Sequence, residues 1–78
     1  MAERFPSLRP RELLRVLERA GFAISRQTGS HLILFREGYP RPVSIPRHNR
    51  EMKRGLVAGI LSDAGISREE FLRLLRES

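Results

Sequence analysis

Ala20-Gly21 divides the chain into two hydrophobic patterns that do not belong to one kind of element. Before it, Leu13, Leu14, Val16 and Leu17 form a stripe at helical spacing, with Arg11, Glu12, Arg15, Glu18 and Arg19 between them. After it, apolar residues come in alternation and in short runs cut by turn residues, as in strands. Gly21 tolerates φ > 0 and predicts the helix stop. Ser7 is the expected cap at the other end, with Pro10 in the first turn, where its missing N–H costs nothing.

The strand region reads as three pieces. Residues 22–27 (Phe-Ala-Ile-Ser-Arg-Gln) are expected to form a half-buried strand. Thr28-Gly29-Ser30 is a turn, and residues 31–36 form a second strand whose stronger hydrophobicity places it in the middle. Glu37-Gly38-Tyr39-Pro40-Arg41-Pro42 is a connection, and Val43-Ser44-Ile45 is a third strand closed by Pro46. Such an antiparallel meander needs one face covered. The first helix covers it together with a helix starting near Met52, whose apolar face is Leu56, Val57, Ile60 and Leu61. Gly55 and Gly59 in that helix are expected to let it lie close to the sheet. Gly65 stops it, and Ser67-x-x-Glu70 caps a last helix carrying Phe71, Leu72, Leu74 and Leu75.

The expected fold class is therefore α+β: α-β-β-β-α plus a C-terminal helix, with a three-stranded antiparallel sheet packed on helices. That order matches double-stranded-RNA-binding domains with an appended helix. Seventy-eight residues leave room for one core, so residues 1–78 are read as a single domain. With no cysteine, disulfides and thiolate metal sites are excluded and packing alone must stabilise it. The longest apolar run, Leu32-Ile33-Leu34-Phe35, is far too short to span a bilayer. The first fourteen residues have no apolar core of signal-peptide length, so the expected location is cytoplasmic, with no membrane partner.

Charge gives the first functional clue. Lys+Arg is 15 against 9 for Asp+Glu, a net +6, and fourteen of the fifteen cations are arginine. Arginine forks onto phosphates and stacks on bases, which fits a polyanion partner. The same bias also fits ordinary solvated helix faces.

The chemistry-bearing residues are few. Two histidines, His31 and His48, and no cysteine fall short of the three or four ligands of a zinc site. The glycines are scattered rather than gathered into a phosphate loop, and no nucleophile-elbow pattern surrounds Ser30. No metal or cofactor is expected. His31 opens the second strand directly after Gly29-Ser30, with Arg26 before it and Arg36 after. A neutral imidazole there could take a proton from a ribose 2′-hydroxyl while arginines hold the phosphate. Read from the residues alone, it fits a turn-end residue with a satisfied ring better. His48 lies in Pro46-Arg47-His48-Asn49-Arg50, ahead of Lys53 and Arg54 at a helix start; this is a phosphate site or a solvated basic loop. Phe35 and Tyr39 could stack on unpaired bases, although Phe35 fits the core better, as do Phe5, Phe22 and Phe71.

Several blocks together resemble the HicA toxin family. They are Ala20-Gly21-Phe22, Arg26-Gln27-Thr28-Gly29-Ser30-His31, Val43-Ser44-Ile45-Pro46-Arg47-His48, Lys53-Arg54-Gly55-Leu56, Ile60-Leu61, Ala64-Gly65-Ile66-Ser67 and Glu70-Phe71. The resemblance implies a small mRNA-cleaving toxin of a prokaryotic toxin–antitoxin pair, with a double-stranded-RNA-binding-domain-like fold and no metal. It implies that His31, in the Gly-Ser-His box, is catalytic. It also implies a HicB antitoxin partner that covers the site and often binds operator DNA. The chain departs from many relatives at Leu56-Val57, where they carry Thr-Leu; that bears on packing more than on chemistry.

The expectation is thus an endoribonuclease acting on mRNA through His31, with Arg26, Ser30, Arg36, Arg47, His48, Lys53 and Arg54 as RNA contacts. Two rivals stand beside it. One is a module that binds double-stranded RNA without cutting it, reading A-form shape through phosphates and 2′-hydroxyls. The other is a protein-interaction domain whose basic face meets an acidic protein.

Overall fold

The computed structural model describes residues 5–77. Its elements run α1 (Pro10–Arg19), β1 (Ala23–Gln27), β2 (His31–Phe35), β3 (Val43–Pro46), α2 (Arg54–Asp63) and α3 (Arg68–Glu77). The sheet is antiparallel in the order β1-β2-β3, so β2 is central, as its hydrophobicity implies. The α+β architecture expected from the sequence is present.

The helices sit on one face of the sheet. Leu34, Val43 and Ile45 point into the core, where they meet Leu13, Val16 and Leu17 of α1 and Val57, Ile60 and Leu61 of α2. Phe71 and Leu74 of α3 complete the core from beside α1, and the Phe71 ring meets that of Phe5 at 5.5 Å between centroids. An isolated bridge joins Leu8 to Met52, both buried, through the Met52 N–H and the Leu8 carbonyl at 2.7 Å. It ties the strand-like approach to α1 to the approach to α2.

The opposite face of the sheet is open. Cross-strand partners share a face, so Ala23 with Phe35, Arg26 with Ile33, Ile33 with Ser44 and His31 with Pro46 all point away from the helices. Between Ile24 and Arg26 the pairing slips by one residue, a bulge at Ser25.

The structure corrects several expectations. Ser7 is exposed and does not cap α1; Arg9 occupies the cap position, and its N–H donates to the Glu12 carboxylate at 2.8 Å. Residue 9 supplies the extended backbone, and Glu12 reaches back from the first turn as in half a capping box. β1 is not half-buried: all five of its residues are exposed, because it is an edge strand lying beyond the reach of the helices. Phe22 is buried, but it stands just before β1. α2 starts at Arg54, and Met52 belongs to the bridge instead. Leu56 is 46% exposed and lies off the apolar face of α2. Gly55 and Gly59 face open space, with nothing within 4 Å of where a Cβ would stand, so neither serves close packing. Phe35, expected in the core, is 48% exposed on the open face.

The glycine stops hold. Gly21 has φ +100° and Gly65 φ +71°. Gly65 also lies where a Cβ would come within 3.0 Å of the Tyr39 ring, so size and backbone both demand glycine there. Ser67 caps α3 through its Oγ, which accepts the Glu70 N–H at 3.1 Å.

Candidate functional site

The turn between β1 and β2 is built around one hydroxyl. Thr28 Oγ1 accepts the N–H of His31 at 2.8 Å and that of Ser30 at 3.3 Å, and it lies 3.2 Å from the His31 carbonyl, to which it donates. The Thr28 N–H donates to the same carbonyl at 2.8 Å. In a simple β-turn the His31 N–H would go to the Thr28 carbonyl. Here the hydroxyl takes it, as short polar side chains do in turns, and the carbonyl is released.

Arg47 uses the released group. Its guanidinium Nη1 donates to the Thr28 carbonyl at 2.7 Å, and its backbone N–H donates to the Ser30 carbonyl at 2.8 Å. The turn carrying His31 is therefore braced from β3. Within it, Ser30 Oγ lies 3.0 Å from Nδ1 of the His31 ring. Both side chains are exposed, so the imidazole is held at Nδ1 while its Nε2 edge is free of the turn.

Around this rim cations outnumber acids. Arg26, Arg47 and Arg50 lie toward this end, with Glu51 next to Arg50, and no strand contains an acid. Arg26 lies on the open face, one cross-strand pair inward from the turn. Past β3, His48 and its neighbours curve toward α1. Pro10, Arg11, Leu14, Gly29, Leu32, Pro46, Arg47, His48 and Asn49 line an open groove of about 370 Å³. A second hollow, about 300 Å³, lies between His48, Arg50, Glu51, Met52, Lys53 and Leu56. His48 borders both, and its Nδ1 accepts the Arg50 N–H at 3.1 Å, so the neutral ring carries its proton on Nε2.

Lys53 occupies the cap position of α2 with extended backbone and no side-chain cap bond, and Arg54 opens the helix. The first turn of α2 holds no acid, whereas α1 has Glu12 there and α3 has Glu69 and Glu70. Two cations at a helix end that already favours anions suit a phosphate.

Arg26, Ser30, His31, Arg47 and His48 thus gather about one end of the sheet, and Lys53 and Arg54 extend the basic surface from His48. Arg36 does not join them. It follows the far end of β2, where its Nη1 donates to the Ala20 carbonyl at 3.2 Å and its guanidinium lies 5.1 Å from the ring centres of both Phe22 and Tyr39. It complements the C-terminus of α1 and packs between two aromatic rings, a structural assignment in place of the expected phosphate contact. Tyr39 is held in the same knot, edge-on to Phe22 and donating its hydroxyl to the Asp63 carbonyl, so it is no base-stacking platform.

Two contributors lay outside the sequence reading. Thr28 orders the turn; a threonine three residues before the histidine is the local signal for such a motif. Arg11, read as helix surface, lines the groove. Among the described residues no group of three or more His, Asp or Glu could hold a metal ion, and no helix is long and apolar enough to cross a membrane.

The family model for the HicA toxin of bacterial toxin–antitoxin systems matches residues 10–66, from the first residue of α1 to just past the end of α2. No curated protein matches the chain.

Proposed function

This chain belongs to the HicA toxin family, and from that premise we propose that it is a metal-independent endoribonuclease that cleaves mRNA at His31. The observation that carries the reading is the held imidazole: Ser30 Oγ at 3.0 Å from Nδ1, on a turn locked by Thr28 and Arg47, within a rim of cations. In the tautomer with hydrogen on Nδ1, that N–H donates to Ser30 and the Nε2 lone pair is a general base.

The reaction then needs no group foreign to the chain. Nε2 takes the proton of a ribose 2′-hydroxyl, and the 2′-oxygen forms a bond to the adjacent phosphorus. The bond from phosphorus to the 5′-oxygen breaks, leaving a 2′,3′-cyclic phosphate, and the departing oxygen takes a proton from solvent. Arg26 and the donors of Arg47 not spent on the turn offset the charge that develops on the phosphoryl oxygens. His48, Lys53 and Arg54 hold flanking phosphates, contacts that position the strand without reading its sequence. A HicB-type antitoxin silences the toxin by covering this rim, and the cytoplasm, where mRNA is, is the place of action.

The test is cleavage of RNA in EDTA by the wild type beside His31→Ala. The expected outcome is a loss of about 100-fold or more, the span of a lost general base. Equal cutting by both would move the chemistry to another residue. Binding of RNA without cutting by either, on free and on ribosome-loaded mRNA, would favour the non-catalytic RNA-binding module.

A further inference from the structure

The open face of the sheet carries a feature that the cleavage chemistry leaves unused. Phe35 ends the strand that His31 begins, on the same face, with Ile33 between them. Four residues of strand separate the two side chains by about 13 Å, a span of about two nucleotides of extended backbone. Phe35 is 48% exposed, the largest value for a large hydrophobic among the described residues, although the core on the other face is closed. Phe35 does not stand alone: Ala23 is directly across from it and Ile33 lies two residues back on the same face, so the ring belongs to an apolar strip of the open face with Arg26 at its side. Leu56, at 46%, lies apart on α2, and Ile24, at 40%, points to the helix side at the sheet edge.

The charge on this face selects the occupant. Its strand residues are Ala23, Arg26, His31, Ile33, Phe35, Ser44 and Pro46; Arg26 is directly across from Ile33, and no carboxylate is among them. An aromatic ring beside a guanidinium is what single-stranded nucleic acid uses, a π-face for the base and a cation for the backbone. A duplex offers no free base face to the ring.

We propose that Phe35 is a stacking platform for a nucleobase of single-stranded RNA, about two nucleotides from the scissile bond. The proposal rests on the reading of the chain as an RNA-cleaving toxin and narrows its substrate to unpaired RNA. Stacking there is sequence-tolerant, because every base presents a π-face. Phe35 is a binding residue that holds substrate and transition state alike, so its loss acts on KM and leaves kcat in place.

The chain contains no tryptophan and one tyrosine, so Phe35→Trp places a lone tryptophan at the platform, and exciting it selectively keeps Tyr39 silent. In a His31→Ala background, titration with a short oligouridine should quench that fluorescence. Under the same conditions Phe35→Ala should weaken binding about tenfold or more. Phe35→Leu, which keeps the apolar bulk and loses the π-face, should fall with alanine. In the cleaving protein, KM should rise for Phe35→Ala with kcat within about twofold of wild type. Unquenched tryptophan with unchanged affinity of Phe35→Ala, in a protein that cuts RNA with His31 intact, overturns the platform alone. Quenching with no cutting by the wild type keeps the platform and removes the nuclease reading. Failure to bind any RNA overturns both. Quenching by an acidic partner protein and not by RNA assigns the face to a protein.

Discussion

α3 and the β1–β2 hairpin are stabilised by different physics. α3 buries Phe71 and Leu74 against the core, balances three arginines with three glutamates, and takes its cap from Ser67. β1 buries nothing and is held by its ladder to β2 and by the hydroxyl and guanidinium that lock the turn at its end. α3 also lies beyond the stretch that matches the family, while the hairpin is inside it. Apolar burial is non-directional and sets how stable the domain is. Hydrogen bonds in water add little net stability each but fix direction, and direction is what the role proposed for His31 requires.

The widest separation between the two regions should come from Phe71→Ala. Removing a fully buried ring should lower unfolding free energy by about 3–5 kcal/mol, read from urea denaturation. A loss within a few tenths would mean that α3 is an accessory and the contrast is false. Thr28→Val keeps the side-chain volume and deletes the hydroxyl. The loss of stability should be about 1 kcal/mol, because the freed groups are exposed to water. Its cleavage rate at saturating RNA should nonetheless fall about tenfold, as expected when a reacting group loses its positioning. A stability loss as large as that of Phe71→Ala would erase the distinction. Arg73→Ala gives the smallest effect. Its partners Glu70 at 3.9 Å and Glu77 at 3.4 Å are exposed, so thermal denaturation should register about 0.5 kcal/mol or less.

The same contrast explains what could be read from the sequence. Element order, the central place of β2, the stops at Gly21 and Gly65 and the Ser67 cap all follow from local rules of period and backbone conformation. Period alone does not say which strand the helices reach. That is why the pattern alone predicts a half-buried β1 and an interior place for Phe35 and Leu56, whereas all three are exposed. Charge alone does not say which arginines are free. Arg36 and Arg26 look alike in the chain, yet Arg36 closes α1 between two rings that are distant in sequence. The candidate site was legible as His31 and its basic setting. The Ser30 contact on Nδ1 and the Thr28 clamp depend on how the turn folds back on itself, and Arg47's brace crosses from another strand.

The bulge at Ser25 bears on a different matter, the company this molecule keeps with its own copies. A bare edge strand offers a row of backbone donors and acceptors on which another chain can align and grow a shared sheet. One extra residue in the middle of β1 interrupts that row and increases the local twist. Arg26 beside it adds a charge that an identical edge would have to face. An accumulating toxin is thereby kept from templating aggregates along β1 while the edge stays uncovered.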